Sequence, residues 1–159
     1  MILAQHTLET TALPENVWAR WADVASYPEW DEGVESARLD GEFKVGACGV
    51  IKPKGGRPAS FKITEVEEFR TFADQTLLLF ARLRFSHKLE ATDMGTRFTH
   101  VIQAEGPLAW VWSLILSPKL KTGLSPAMRK LARMAEIHDT RLTPENADGE
   151  KASKGLFGI

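Results

Sequence analysis

The sequence predicts an α+β protein: seven antiparallel strands, two short helices after the first strand, and a long helix towards the C-terminal end. Three observations carry this expectation. Residues 2–11 and six segments between 34 and 105 alternate apolar and polar side chains with a period of two. Turn residues separate those segments at short intervals, which suits hairpins and leaves no room for parallel crossovers. After Gly106-Pro107 the apolar period lengthens to that of a helix and persists to His138.

In the first strand, Ile2, Ala4, His6 and Leu8 share one face and Leu3, Gln5, Thr7 and Glu9 the other. Pro14 then suits the first turn of a helix, where no backbone donor is missed. Val17, Trp21 and Val24 fall at helical spacing, and Ser26 and Glu29 have the Ser-x-x-Glu spacing of a capping box opening a second, one-turn helix. Helices this short lack the surface to bury Trp18, Trp21 and Trp30 against each other, so they must lie across the sheet. Strands are expected at 34–39, 47–52, 59–68, 71–80, 83–91 and 96–105, with turns at Asp40-Gly41, Pro53-Lys54-Gly55-Gly56 and Asp93-Met94-Gly95. The C-terminal helical pattern is interrupted at Ser117-Pro118 and Ser125-Pro126, each pair resembling an N-cap followed by proline at the first helical position. Leu124, Met128, Leu131 and Ala135 form its apolar stripe, opposite Arg129, Lys130 and Arg133, and the positive form of His138 would favour the helix dipole. Residues 1–140 are expected to be one domain, and residues 141–159, rich in charged and small side chains, a flexible tail whose apolar end (Gly155 to Ile159) could dock.

Composition excludes several classes. A formal net charge of −1 and a pI near 6.4 give no electrostatic footprint for nucleic acid. Residues 107–116, the most apolar stretch, fall far short of the ~20 residues that span a membrane, so no stable insertion is expected. Residues 1–11 alternate instead of forming a charged segment and an apolar run, so no leader is expected. The single cysteine, Cys48, makes no internal disulfide and fits a reducing, cytoplasmic setting.

The residues Val17-Trp18, Asp23-Val24, Tyr27-Pro28-Glu29-Trp30, Val45-Gly46, Gly95-Thr96-Arg97 and Gly106-Pro107 resemble the polyketide cyclase/dehydrase-like branch of the START and birch-pollen-allergen (SRPBCC) superfamily. The resemblance runs from about residue 2 to residue 138. It implies a helix-grip fold, in which a curved sheet wraps the long C-terminal helix around an internal cavity. It also implies a hydrophobic, lipid-like or aromatic ligand in that cavity, with His6, Trp30, Phe61, Ile63, Phe85, His87, Phe98, His100, Trp112, Leu124 and Met128 as its expected contacts. The family's jobs are diverse, and no universal catalytic motif transfers. Whether the chain is an enzyme is left open: the alternatives are a cyclase or dehydratase acting on an aromatic or polyketide-like substrate, and a shuttle that uses a lid.

His6, His87 and His100 each sit mid-strand on an apolar-alternating face, and in the resembled topology their strands are neighbours. With strands ~4.8 Å apart, three inward imidazoles could converge. One reading makes His87 or His100 a general acid/base, and another makes the three a metal site. The bland reading is three separately satisfied wall residues. With no supporting carboxylate evident in sequence, neither a metal nor another cofactor is expected. Cys48 has no histidine nearby in sequence and reads as a small core residue, not a nucleophile. Lys52 to Arg57 has glycines and positive charge but lacks the Gly-Lys-Ser/Thr ending of a phosphate loop. Arg20, Asp23, Glu29 and Asp31 read as an exposed helical face. Trp110 and Trp112 read either as core under the sheet or as a partly exposed lid. Oligomeric state is not legible.

Overall fold

The computed structural model describes residues 1–140, with side chains through Ile137. The tail expected at 141–159 and the side chain of His138 lie outside the described residues. Strand β1 (Ile2–Thr10) leads into helix α1 (Pro14–Ala22), a single 3-10 turn (Val24–Ser26) and helix α2 (Tyr27–Trp30). Strands β2 (Val34–Asp40), β3 (Cys48–Pro53), β4 (Ala59–Glu67), β5 (Thr71–Leu78), β6 (Ala81–Thr92) and β7 (Gly95–Glu105) follow, and helix α3 (Ala109–Thr140) closes the described chain.

All seven strands form one antiparallel sheet in the order β1-β7-β6-β5-β4-β3-β2. Helix α3 bridges the two ends of this curved sheet. Ser117 donates to the Leu3 carbonyl at 2.9 Å and Thr10 to the Glu136 carboxylate at 2.6 Å, which ties α3 along β1. On the opposite side Lys119 donates to the Lys54 carbonyl at 3.1 Å, in the turn after β3. Helix α1 has no hydrogen-bonding side chain at its N-cap, Leu13. It is held by what it buries: Val17 and Trp21 are 0% exposed.

The packing beneath α3 is uneven. Its later half buries Ala127, Met128, Leu131, Ala132 and Ala135 with Trp18, Trp21, Trp30, Phe72, Leu89 and Phe98 in one cluster. Its earlier half meets Leu3, Ala4, Leu83, Ile102 and Ala104 through Leu116, Leu120 and Leu124, which are only half-buried.

Four expectations are corrected. Helix α3 is continuous through Ser117-Pro118 and Ser125-Pro126, with both prolines inside it. Each proline deprives one carbonyl of its helical donor, Leu114 and Thr122 respectively, and both residues are exposed, so water can replace the lost bond. No capping box forms at α2, because Ser26 turns its hydroxyl onto the Asp23 carbonyl at 2.7 Å. In β1 a register shift between Ile2 and Ala4 buries Leu3 completely and leaves Ile2 exposed, against the simple alternation. The hairpin after β5 comes two residues earlier than expected: the strand stops at Leu78, β6 resumes at Ala81, and Phe80 turns the chain with φ of 52°, unusual for a bulky side chain.

Candidate functional site

The concave face of the sheet is built from rows of side chains that run across the strands. One row carries the histidines. His6 on β1 lies opposite His100 on β7, His100 opposite His87 on β6, and His87 opposite Phe72 on β5. The rings of His87 and His100 meet edge to face at 4.4 Å, and His87 stacks flat on Phe72 at 3.9 Å. Trp21 of α1 covers the pair, 5.3 Å from His87 and 5.4 Å from His100. Among the described residues, His87 Nδ1, His100 Nε2 and Trp21 Nε1 are buried with no hydrogen-bond partner. His87 as a residue is half-buried, but its Nδ1 is fully enclosed. The Phe72 carbonyl favours the His87 proton only weakly, without a well-aligned hydrogen bond.

This enclosure sets the protonation. Desolvation pushes the His100 imidazole down to about 3, with the neighbouring His6 a smaller cause in the same direction. Desolvation likewise holds His87 well below the usual imidazole range, helped by His100. Both rings are therefore neutral near pH 7.

The next row, two residues further along each strand, runs Ile63, Asp74, Phe85, Ile102 and Ala4. Asp74 shares the inward face of β5 with Phe72 and Thr76, while Gln75 and its neighbour Arg84 face outward. Arg84 pairs there with Glu65 at 2.8 Å. Burial raises the Asp74 carboxyl to about 7, and Arg84 opposes the rise. Tyr27, whose hydroxyl donates to the Trp21 carbonyl at 2.8 Å, sits close enough for Asp74 to help hold its phenol protonated, second to burial itself. No hydrogen bond or ion pair to the Asp74 carboxylate is found among the described residues. Asp74, Phe85 and Leu78 face inward yet stay half-exposed, as do Leu116, Leu120 and Leu124 of α3 across from them. We read these inward side chains with residual exposure as lining a cleft between the sheet and the earlier half of α3.

The expected site residues divide between these regions. Trp30, Phe98 and Met128 belong to the solid cluster, and Leu124 touches it and the cleft alike. Phe61 and Ile63 pack with Val24 under the helix pair, and Phe85 lies in the cleft. Trp112 stands at the rim: its indole donates to the Leu79 carbonyl at 3.1 Å, stapling the start of α3 to the hairpin after β5. Beside it Trp110 is 58% exposed, so the reading of both tryptophans as core does not hold. Asp74, Tyr27 and Phe72 were not expected in the site. The signal for Asp74 was its phase, a carboxylate two residues from Phe72 and two from Thr76 in a period-two strand. Among the described residues no group of three or more His, Cys, Asp or Glu is arranged to hold a metal ion, and no helix is long and apolar enough to cross a membrane.

Comparison with known structures agrees with this architecture. A Mesorhizobium loti protein of known structure superposes with a TM-score of 0.67 at 18% identity, over 84% of this chain and 96% of that one. Norcoclaurine synthase from Thalictrum, solved as a point mutant with a transition-state analogue, superposes at 0.66 and 16% identity, over 85% and 94%. The di-domain ARO/CYC protein StfQ of the steffimycin biosynthetic pathway superposes at 0.69 and 10% identity, over 86% of this chain and 51% of that one. At these identities the likeness is one of fold: a seven-stranded sheet gripping a long helix. A search of curated protein sequences finds no match. The family model described as polyketide cyclase/dehydrase and lipid transport matches residues 1–136, and with nearly the whole sheet and helix inside that match, the chain belongs to this family.

Proposed function

We propose that the chain binds a hydrophobic small molecule, lipid-like or aromatic, in the cleft between the sheet and the earlier half of α3. The observation that carries this reading is the set of inward apolar side chains (Leu78, Phe85, Leu116, Leu120 and Leu124) that keep exposed surface while facing each other. A concave, mostly apolar space with few polar groups is the common form of a small-molecule site. Residues 1–140 act as one unit in this reading, and Cys48, exposed where a core residue was expected, is a free thiol that supports a cytoplasmic setting.

A second reading, cyclase- or dehydratase-type catalysis on an aromatic or polyketide-like substrate, gains from one observation. A carboxyl with a pKa of about 7 is matched to proton transfer at neutral pH. The expected acid/base residues His87 and His100 are poorer candidates, since Trp21 covers both rings and their nitrogens have lost proton affinity.

Titration with Nile red, followed by fluorescence, tests the binding reading. Saturable binding in the micromolar range is expected, with at least about tenfold weakening in Leu120→Trp, which fills the cleft. Absence of saturable binding by Nile red, together with native mass spectra that show only the bare polypeptide, would overturn it.

A further inference from the structure

Asp74 is out of place by ordinary packing rules. A carboxylate facing the inside of a sheet is normally paired or hydrogen-bonded, because leaving its charge unmatched is costly. Here its strand neighbours on the same face are Ile63 and Phe85, and the leucines of α3 lie across the cleft. The charged and titratable groups around it are few. Arg84 of β6 points to the outer face and is engaged by Glu65 of β4. Tyr27 is a neutral phenol committed to the Trp21 carbonyl, and Asp23, before the 3-10 turn, is exposed. His87 and His100 in the adjacent row are enclosed, and the inward positions of α3 at this level are leucines. Among the described residues Asp74 is thus the one carboxylate in this inward row, and its side chain keeps part of its surface exposed.

We propose that Asp74 is the polar anchor of the ligand site and that it selects amphipathic molecules whose buried end is an amine or a donating hydroxyl, against carboxylates such as fatty-acid anions. The inference rests on the ligand-binding reading above and narrows it to a substrate class. An ammonium at the carboxylate gains a charge-assisted hydrogen bond in a poorly solvated place. A hydroxyl gains an ordinary one. A carboxylate there meets a like charge, or must bind only after one of the two acids takes up a proton. Since the Asp74 carboxyl titrates near neutrality, discrimination strengthens on the alkaline side and fades on the acid side.

The test is displacement of Nile red by a matched series, dodecylamine, dodecanol and dodecanoate, at pH 5.5 and pH 8, with wild type, Asp74→Asn and Asp74→Leu. At pH 8 wild type should bind dodecylamine at least about tenfold more tightly than dodecanoate, with dodecanol between them. The ratio should shrink at pH 5.5 and collapse towards unity in both variants, whose folding is checked by circular dichroism. Equal affinities in wild type at pH 8, or tightest binding of dodecanoate, would overturn the anchor while leaving the site intact. A tenfold preference that persists in both variants would assign it to another group and equally overturn the proposal. If Nile red does not bind and native mass spectra show only the bare polypeptide, the ligand-binding reading fails and the anchor with it. The wild-type pH comparison decides the matter even where a variant misfolds.

Discussion

Removing the Trp21 ring tests how the helix pair is held. Trp21 is completely buried and makes ring contacts with Trp18, Phe72, Phe98, His87 and His100 at centroid distances between 5.3 and 6.4 Å. Trp21→Ala strips partners from both the helix side and the sheet side. The lost transfer energy and the cavity together should cost ~3–5 kcal/mol. In a domain of this size that corresponds to a fall of about 6–20 °C in melting temperature. One term acts in the other direction. The Trp21 Nε1 proton has no partner among the described residues, and an unpaired buried donor costs ~1–3 kcal/mol. Trp21→Phe keeps most of the apolar contact and removes that donor, so it should lie within about 1 kcal/mol of wild type. Urea unfolding followed by circular dichroism measures both variants, since each substitution removes one of the five tryptophans and alters the fluorescence signal itself. A loss below about 1 kcal/mol in the alanine variant would show that Trp21 does not anchor the helices. Equal losses in the two variants would refute the argument from the unpaired donor.

Stability should depend on the enclosed histidines. The folded-state pKa of His100 lies below its unfolded value, so the unfolded chain takes up the proton first and stability falls as pH drops from about 6.5 towards 3. The gap between wild type and His100→Phe in urea unfolding should therefore shift by about 1.4 kcal/mol per pH unit below 6.5, and a flat difference would refute the burial of this imidazole. Asp74 has the opposite sign: its raised carboxyl favours the folded state on the acid side and is lost as pH rises through about 7, so Asp74→Asn should be most stabilising relative to wild type at pH 8. Unchanged relative stability between pH 5 and 8 would count against it. Gly49→Ala places a methyl group 2.3 Å from the Arg38 carbonyl and 2.4 Å from the Phe61 ring, and should cost ~1–3 kcal/mol or more; a cost below ~0.5 kcal/mol would show that β2 and β4 give way there.

The period-two strands and the change of period after Gly106 made the architecture legible, because antiparallel strands with one wet face print their alternation directly in the sequence. The convergence of His87 and His100 was also legible, once the order of strands was supplied by resemblance. Two kinds of information stayed hidden. Helix continuity at Ser117-Pro118 and Ser125-Pro126 depends on whether the freed carbonyls reach water, and local sequence does not say. The importance of Asp74 depends on its phase relative to Phe72, and a lone acid in a strand reads as surface until both neighbouring strands are in register. The enclosure of the histidines comes from Trp21, a residue of another element altogether, so their loss of basicity has no local sequence signature.

Helix α3 is one unbroken spiral, yet energetically it is two segments. From Ala127 to Ala135 it packs in the cluster that buries five aromatic rings, whereas up to Leu124 its apolar face is half-wet, and Pro118 and Pro126, the latter at the junction, have each removed a rung of the backbone ladder. Opening free energies follow contact density, so amide protons of the earlier segment should exchange with deuterium through small local excursions, while those of the later segment wait for global unfolding. In the ligand-binding reading proposed above, that difference would act as a door with a built-in frame: a guest would enter where the earlier turns of α3 lift away from Leu83 and Phe85, while the later turns hold the register against Trp21 and Phe98.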